Sequence, residues 1–231
     1  MSKSSVCSLI GVLLIAFSVN VLAAEPKHVN KNASFKKCSP SEELTLAKTK
    51  LGSLPKLSEK ELKKIKAGKV VLRNSKEADG SRRSQAIAIL DASPKAVMAF
   101  LKDYPAYPKY MPHMKKIEVS WDGNLAVNTY QLKIALSKIN YKLNLLHYGN
   151  SIIEWEFIEG DIKDTNGYYK LHSYNEGTQT LVDYKVYTDA GMPLPGFIVN
   201  LLTRNSMPDV IEAIAKGVKD RSLKASAAIE K

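Results

Sequence analysis

The sequence predicts an α+β domain, a curved antiparallel sheet wrapped around one long C-terminal helix. Three features carry that prediction. Between Lys115 and Tyr187 strand-like segments succeed one another with only short turn signals between them, which suits an antiparallel meander and leaves no room for crossover helices. After Gly191-Met192-Pro193-Leu194-Pro195-Gly196 comes an apolar stripe at helical spacing: Ile198, Leu201, Leu202, Met207, Val210, Ile211, Ile214 and Val218. Ahead of the meander, Ile87 to Val119 reads as strand, sharp turn, helix, proline-tyrosine loop and strand.

The elements follow in order. Lys3, the apolar run Val6 to Phe17 and the small-residue end Val21-Leu22-Ala23-Ala24 make residues 1–24 a secretory signal peptide. Ser18 and Asn20 interrupt the run short of the ~20 apolar residues that span a bilayer. Cys7 leaves with the signal, and the remaining Cys38 can form no internal disulfide. Residues 25–68 form a basic arm, in which 25–37 are polar and predict no regular structure. Ser39-Pro40-Ser41-Glu42 and Ser58-Glu59-Lys60-Glu61 are capping boxes, each predicting a short helix on the outside of the domain. Val70 to Arg73 and Arg82 to Leu90 form one broken edge strand or a hairpin around Ala78-Asp79-Gly80.

The main domain spans 69–221, with 222–231 as a tail. Ser93-Pro94 supplies an N-cap and an N1 proline for the helix of Val97, Phe100 and Leu101. Tyr104-Pro105, Tyr107-Pro108 and Met111-Pro112 end it. The meander strands are Lys115 to Trp121, Leu125 to Ser137, Asn140 to Tyr148, Ile152 to Ile158, Gly167 to Tyr174 and Thr178 to Tyr187. Turn signals between them include Asp122-Gly123-Asn124, Gly149-Asn150, Asp164-Thr165-Asn166-Gly167 and Asn175-Glu176-Gly177. Pro208 either kinks the last helix or starts a second one capped by Asn205 or Ser206.

The 231 residues carry a formal net charge of +11, of which Lys3 supplies one, leaving +10 after signal cleavage. Residues 25–68 hold 11 lysines and 5 acidic residues, so +6 of that charge lies in the arm. The lysines are not interleaved with stacking aromatics and the chain reads as exported, which argues against nucleic acid. The alternatives are a solvated basic surface or weak contact with an anionic membrane surface.

Strand alternation sorts the meander into two faces. One gathers Tyr130, Leu132, Ile134, Leu136, Tyr141, Leu143, Leu145, His147, Ile153, Trp155, Phe157, Tyr169, Leu171, Val182, Tyr184 and Val186, and faces the terminal helix. The other gathers Lys133, Asn144, Glu154, Glu156, Lys170, His172, Asp183 and Lys185, among others, and faces water. Glu154 and Glu156 therefore read as a solubilising stripe. His147, near a strand end, reads as a partly exposed rim residue. The four histidines show no metal-ligand spacing, and nothing calls for a cofactor. With carboxylates and lysines on the wet face, no catalytic residue is assigned. The inward tyrosines and Trp155 fit equally an ordinary core and an apolar cavity with a few polar handles.

Ala92-Ser93-Pro94 with Val97, and Phe100-Leu101-Lys102-Asp103-Tyr104-Pro105 running on to Tyr110-Met111-Pro112, sit within this order of elements. Together they resemble the START-like (helix-grip, SRPBCC) superfamily, in its bacterial polyketide-cyclase and coenzyme-Q-binding branch. The resemblance covers about residues 69–221 and implies a cavity between sheet and terminal helix. Its lining would be Tyr130, Leu132, Ile134, Tyr141, Leu143, Trp155, Phe157, Tyr169, Leu171, Val182, Tyr184, Phe197 and Leu201, with Tyr107, Met111, His147 and Met192 at the rim. The function then expected is non-enzymatic binding, and transport, of a hydrophobic ligand such as a lipid, quinone or sterol-like molecule by a periplasmic or secreted protein. The alternatives are a cyclase or aromatase-like enzyme and a non-catalytic interaction module using the basic arm.

Overall fold

The computed structural model describes residues 26–76, 81–134, 137–191 and 206–229. The signal segment, Leu136, Met192, Phe197 and Leu201 lie outside the described residues. The strands are β1 His28–Val29, β2 Val71–Lys76, β3 Arg82–Leu90, β4 Met114–Asp122, β5 Leu125–Ile134, β6 Ser137–Tyr148, β7 Ile152–Gly160, β8 Asp164–Tyr174 and β9 Gln179–Asp189. They form one antiparallel sheet ordered β2-β3-β9-β8-β7-β6-β5-β4, with β1 paired to β7. The helices are α1 Pro40–Leu51, α2 Glu59–Lys66, α3 Pro94–Leu101, α4 Tyr107–Tyr110 and α5 Ser206–Ile229, with a 3-10 turn at Tyr104–Ala106. The curved sheet with its terminal helix is the fold expected from the sequence.

Local chemistry accounts for most boundaries. Ser39 and Ser58 each accept the N3 amide while Glu42 and Glu61 reach back to the cap, so both capping boxes form. Ser93 accepts from the Ala96 amide, with Pro94 in the first turn of α3. Of the two readings for β2 and β3 the hairpin is correct, with Val71 opposite Ile87 and Lys76 opposite Arg82. Pro208 lies in the first turn of α5, where its missing N–H costs nothing, and no break follows it. The helix continues through the residues expected as a tail.

Two expectations about the outer face are corrected. Residues 28–29 of the polar arm are not irregular: they add β1 beside β7, pairing His28 with Gly160 and Val29 with Glu159. The face assigned to water is largely covered. Glu156 Oε1 accepts the amides of Ser34 (2.8 Å) and Phe35 (2.6 Å), and Glu154 pairs with Lys50 and accepts from the Tyr148 hydroxyl. His172 and Asp183 are buried. Alternation identifies which side chains share a face. It does not show that a polar arm can bind such a face through its own amides, leaving the glutamates as anchors.

The main core lies on the inner face, where Met207, Ile211, Ile214 and Val218 of α5 meet Val97, Phe100 and Leu101 of α3 and Ala86 and Ala88 of β3. Gly217 allows this approach: a Cβ there would lie 2.0 Å from the Phe100 ring. Glycine to alanine in a helix ordinarily gains up to ~1 kcal/mol. Here overpacking reverses the sign, and Gly217→Ala is expected to lower the unfolding free energy by about 1–3 kcal/mol in a urea titration. A gain would mean that α5 stands away from Phe100.

Candidate ligand cavity

The sheet's inner face does not close completely on the helices. A half-enclosed cavity of about 220 Å3 remains between β5–β9, the 104–114 segment and the start of α5. Its sheet wall is aromatic by register. Tyr130 on β5 is directly opposite Tyr141 on β6, and Tyr169 on β8 directly opposite Tyr184 on β9. Both pairs stack, with ring centroids 5.0 and 4.4 Å apart. Trp155 on β7 stands between them, its ring 5.5 Å from Tyr169. It fits because its strand partner is Gly167, where a Cβ would meet the indole at 2.4 Å. The Asp164–Gly167 stretch expected as a turn is therefore the start of β8, its glycine serving close packing. Tyr104 and Tyr107 line the cavity from the proline-tyrosine segment, and Val210 from α5.

The expected lining residues divide accordingly. Tyr130, Leu132, Tyr141, Leu143, Trp155, Tyr169 and Tyr184 border the cavity, as do Tyr107 and Met111. Phe157, Leu171 and Val182 are packed into the core instead, and Ile134, fully buried, does not reach the cavity wall. Tyr104, which opens the segment expected at the entrance, lines it as well, and sequence reasoning left out Ile139, Leu145, Ile153, Ile162, Thr165, Val186 and Thr188, which line it too. Leu145, Ile153 and Val186 had the inward parity that could have found them. Ile139 and Thr188 sit at strand ends, where parity is hard to count.

His147 is not a rim residue. It is 1% exposed, with the Trp121 ring tilted against it at 4.8 Å. Its Nδ1 lies 3.1 Å from the Asn124 carbonyl, which can only accept, so the proton is on Nδ1 and Nε2 accepts the Tyr104 hydroxyl at 2.7 Å. Burial pushes the imidazole down to about 4, against a weaker opposing effect of the Asn124 carbonyl. Asn128, fully buried beside Tyr104, donates to the Tyr130 hydroxyl at 2.9 Å. Polar Asn128 falls on the inward parity of β5, two residues before Tyr130, a signal of this network legible in the sequence.

The cavity's charge state is simple. No Asp, Glu, Lys or Arg lines it among the described residues, and its one imidazole, His113, is half-exposed. Burial raises every phenol there, Tyr184 to about 12 and Tyr104, Tyr107, Tyr130, Tyr141 and Tyr169 further, so all are neutral donors at physiological pH. Such a site can enclose apolar surface and hydrogen-bond a neutral group.

Residues 90–215 match the family model described as polyketide cyclase / dehydrase and lipid transport. The chain belongs to this family. No curated protein sequence matches it. Among solved structures, the family fold is shared with the Zhui aromatase/cyclase of Streptomyces sp. R1128 (14% identity, TM-score 0.54), covering 62% of this chain and 96% of that one. It is also shared with a STAR-related lipid transfer protein of Xanthomonas axonopodis (14% identity, TM-score 0.52; 64% and 98% covered). A third structure, from Thermus thermophilus, is 20% identical with a TM-score of 0.51, covering 62% and 99%. At these identities the likeness is one of fold, and it bears out the START-like resemblance.

Proposed function

We propose that this family member is an exported carrier that encloses a neutral, hydrophobic molecule in the cavity and does not transform it. One observation supports binding over catalysis most directly: the wall offers stacked aromatics and neutral phenols but no carboxylate or lysine among the described residues. A general acid or base is most often an imidazole, carboxylate or amine enclosed with the substrate and titrating near the working pH. Of the two nearby imidazoles, His147 lies behind the wall and is committed to Tyr104 and Asn124, and His113, which does line the cavity, is half-exposed with no carboxylate or lysine beside it in the lining. A ligand of ~25 heavy atoms at ~0.3 kcal/mol per atom would bind at about micromolar strength, weak enough for release. Export rests on the 1–24 sequence pattern, and the arm lysines favour brief contact with anionic lipid surfaces. Among the described residues, no helix is long and apolar enough to cross a membrane.

The test is transfer of a neutral fluorescent lipid between vesicles by the purified mature protein. Transfer without change of the lipid's mass is expected, faster with anionic vesicles at low salt. A chemically altered product would favour the cyclase-like alternative that the Zhui likeness keeps in view.

A further inference from the structure

Resting on the reading of this cavity as a binding site, we propose that its mouth docks on an anionic lipid surface through the ends of β5 and β6 and the start of β4. The lining residues grade from buried to half-exposed, which marks where the cavity opens. Leu145, Ile153 and Trp155 are buried at its floor, whereas Met114, Leu132, Ile139 and Ile162 form a half-exposed apolar rim. Leu132 is directly opposite both Met114 on β4 and Ile139 on β6, so one rung of the sheet crosses that rim. His113 ties the 111–114 segment to the same place. Its left-handed backbone (φ 60°) turns the carbonyl to accept the Lys133 amide at 2.9 Å.

One residue further along, Lys133 and Lys138 stand directly opposite each other, on the outer side of the strands. Like charges so placed are destabilising, and the protein supplies nothing to offset them. Lys133, Lys138 and nearby Lys115 are exposed, and their side chains make no ion pair or hydrogen bond among the described residues. Other lysines around the mouth are neutralised: Lys116 by Glu118, Lys163 by Asp189 and Lys27 by Asp161. Guarding a sheet edge would explain Lys115 on β4 but not a pair on the two interior strands. An anionic bilayer would offset the repulsion while its headgroup region takes up the apolar rim. The basic helix α2 lies elsewhere, packed through Ile65 on Val71 and Ile87 near the opposite edge of the sheet. Arm and mouth can therefore be separated by mutation.

The experiment sediments the mature protein with phosphatidylcholine vesicles, with and without phosphatidylglycerol. Two double variants carry the same change of charge: Lys133→Glu with Lys138→Glu at the mouth, and Lys63→Glu with Lys64→Glu on α2. The mouth variant is expected to lose about tenfold or more in binding to the anionic vesicles, and the α2 variant about threefold or less. Lys138→Glu alone places a carboxylate opposite Lys133, so it should keep or raise the unfolding midpoint while still weakening vesicle binding. In a Cys38→Ser protein, an environment-sensitive fluorophore on Ser137→Cys should shift to the blue on anionic vesicles. One on Ser226→Cys, ~30 Å along α5 from Ser206, should not. The proposal is overturned if both double variants lose binding equally, if the α2 variant loses more, if both labels respond alike, or if the wild-type protein does not bind the anionic vesicles. Failure of the neutral dye phenylnaphthylamine to enter the wild-type protein, with vesicle binding intact, overturns the cavity reading instead, and with it the claim that the docking edge serves a mouth.

Discussion

Acidification from pH 7 to about pH 4.5 is expected to cost the domain about 2–3 kcal/mol through His147 alone. The unfolded imidazole titrates near the ordinary 6.5 and the folded one near 4, because burial disfavours its charged form. The unfolded state therefore binds more protons across this window. The stability due to the neutral buried ring is complete above about 6.5 and is lost as pH falls toward 4. His172, also lowered chiefly by burial, acts with the same sign. Glu61, held near 2 mainly by Arg73, keeps its contribution until pH falls to the ordinary 4.5, so it adds a loss of the same sign only at the lower edge of the window. Urea titrations across this range should show a falling midpoint in the wild type and a flatter profile in a less stable His147→Gln. A wild-type profile that is flat from about pH 7 to 4.5 would mean that His147 is reached by water.

The second large effect concerns the cavity. Val186 projects into it from β9, half-buried and two residues from Tyr184. Val186→Trp should occupy part of the space without displacing core side chains. Denying a ligand ~110 Å2 of apolar contact at ~25 cal/mol per Å2 removes about 3 kcal/mol, so dye affinity should fall about 100-fold. The unfolding midpoint should stay close to wild type. Unchanged affinity would place the dye elsewhere on the protein.

How much of this was readable in the chain varies with the kind of interaction involved. The meander, the Ser93-Pro94 helix start and both capping boxes depend on signals local in sequence, and the structure follows them. Alternation also gave the inward parity of Tyr130, Tyr141, Trp155, Tyr169 and Tyr184 correctly. It could not tell which inward residues border space and which, like Phe157, Leu171 and Val182, fill it, because that depends on where α3 and α5 stop short of the sheet. The position of His147 near a strand end suggested exposure, but Trp121 and Tyr104, far away in sequence, close over it. Glu154 and Glu156 looked like solvent groups for a similar reason: their partners Lys50, Ser34 and Phe35 lie more than a hundred residues away.

The measurement closest to the central claim is mass spectrometry of an organic extract of the mature protein purified from its own cells, beside Val186→Trp prepared identically. A neutral, apolar small molecule is predicted near one per chain in the wild type and depleted in the variant. Wild-type protein that is empty, and that also refuses every apolar compound offered at tens of micromolar, would contradict the carrier reading.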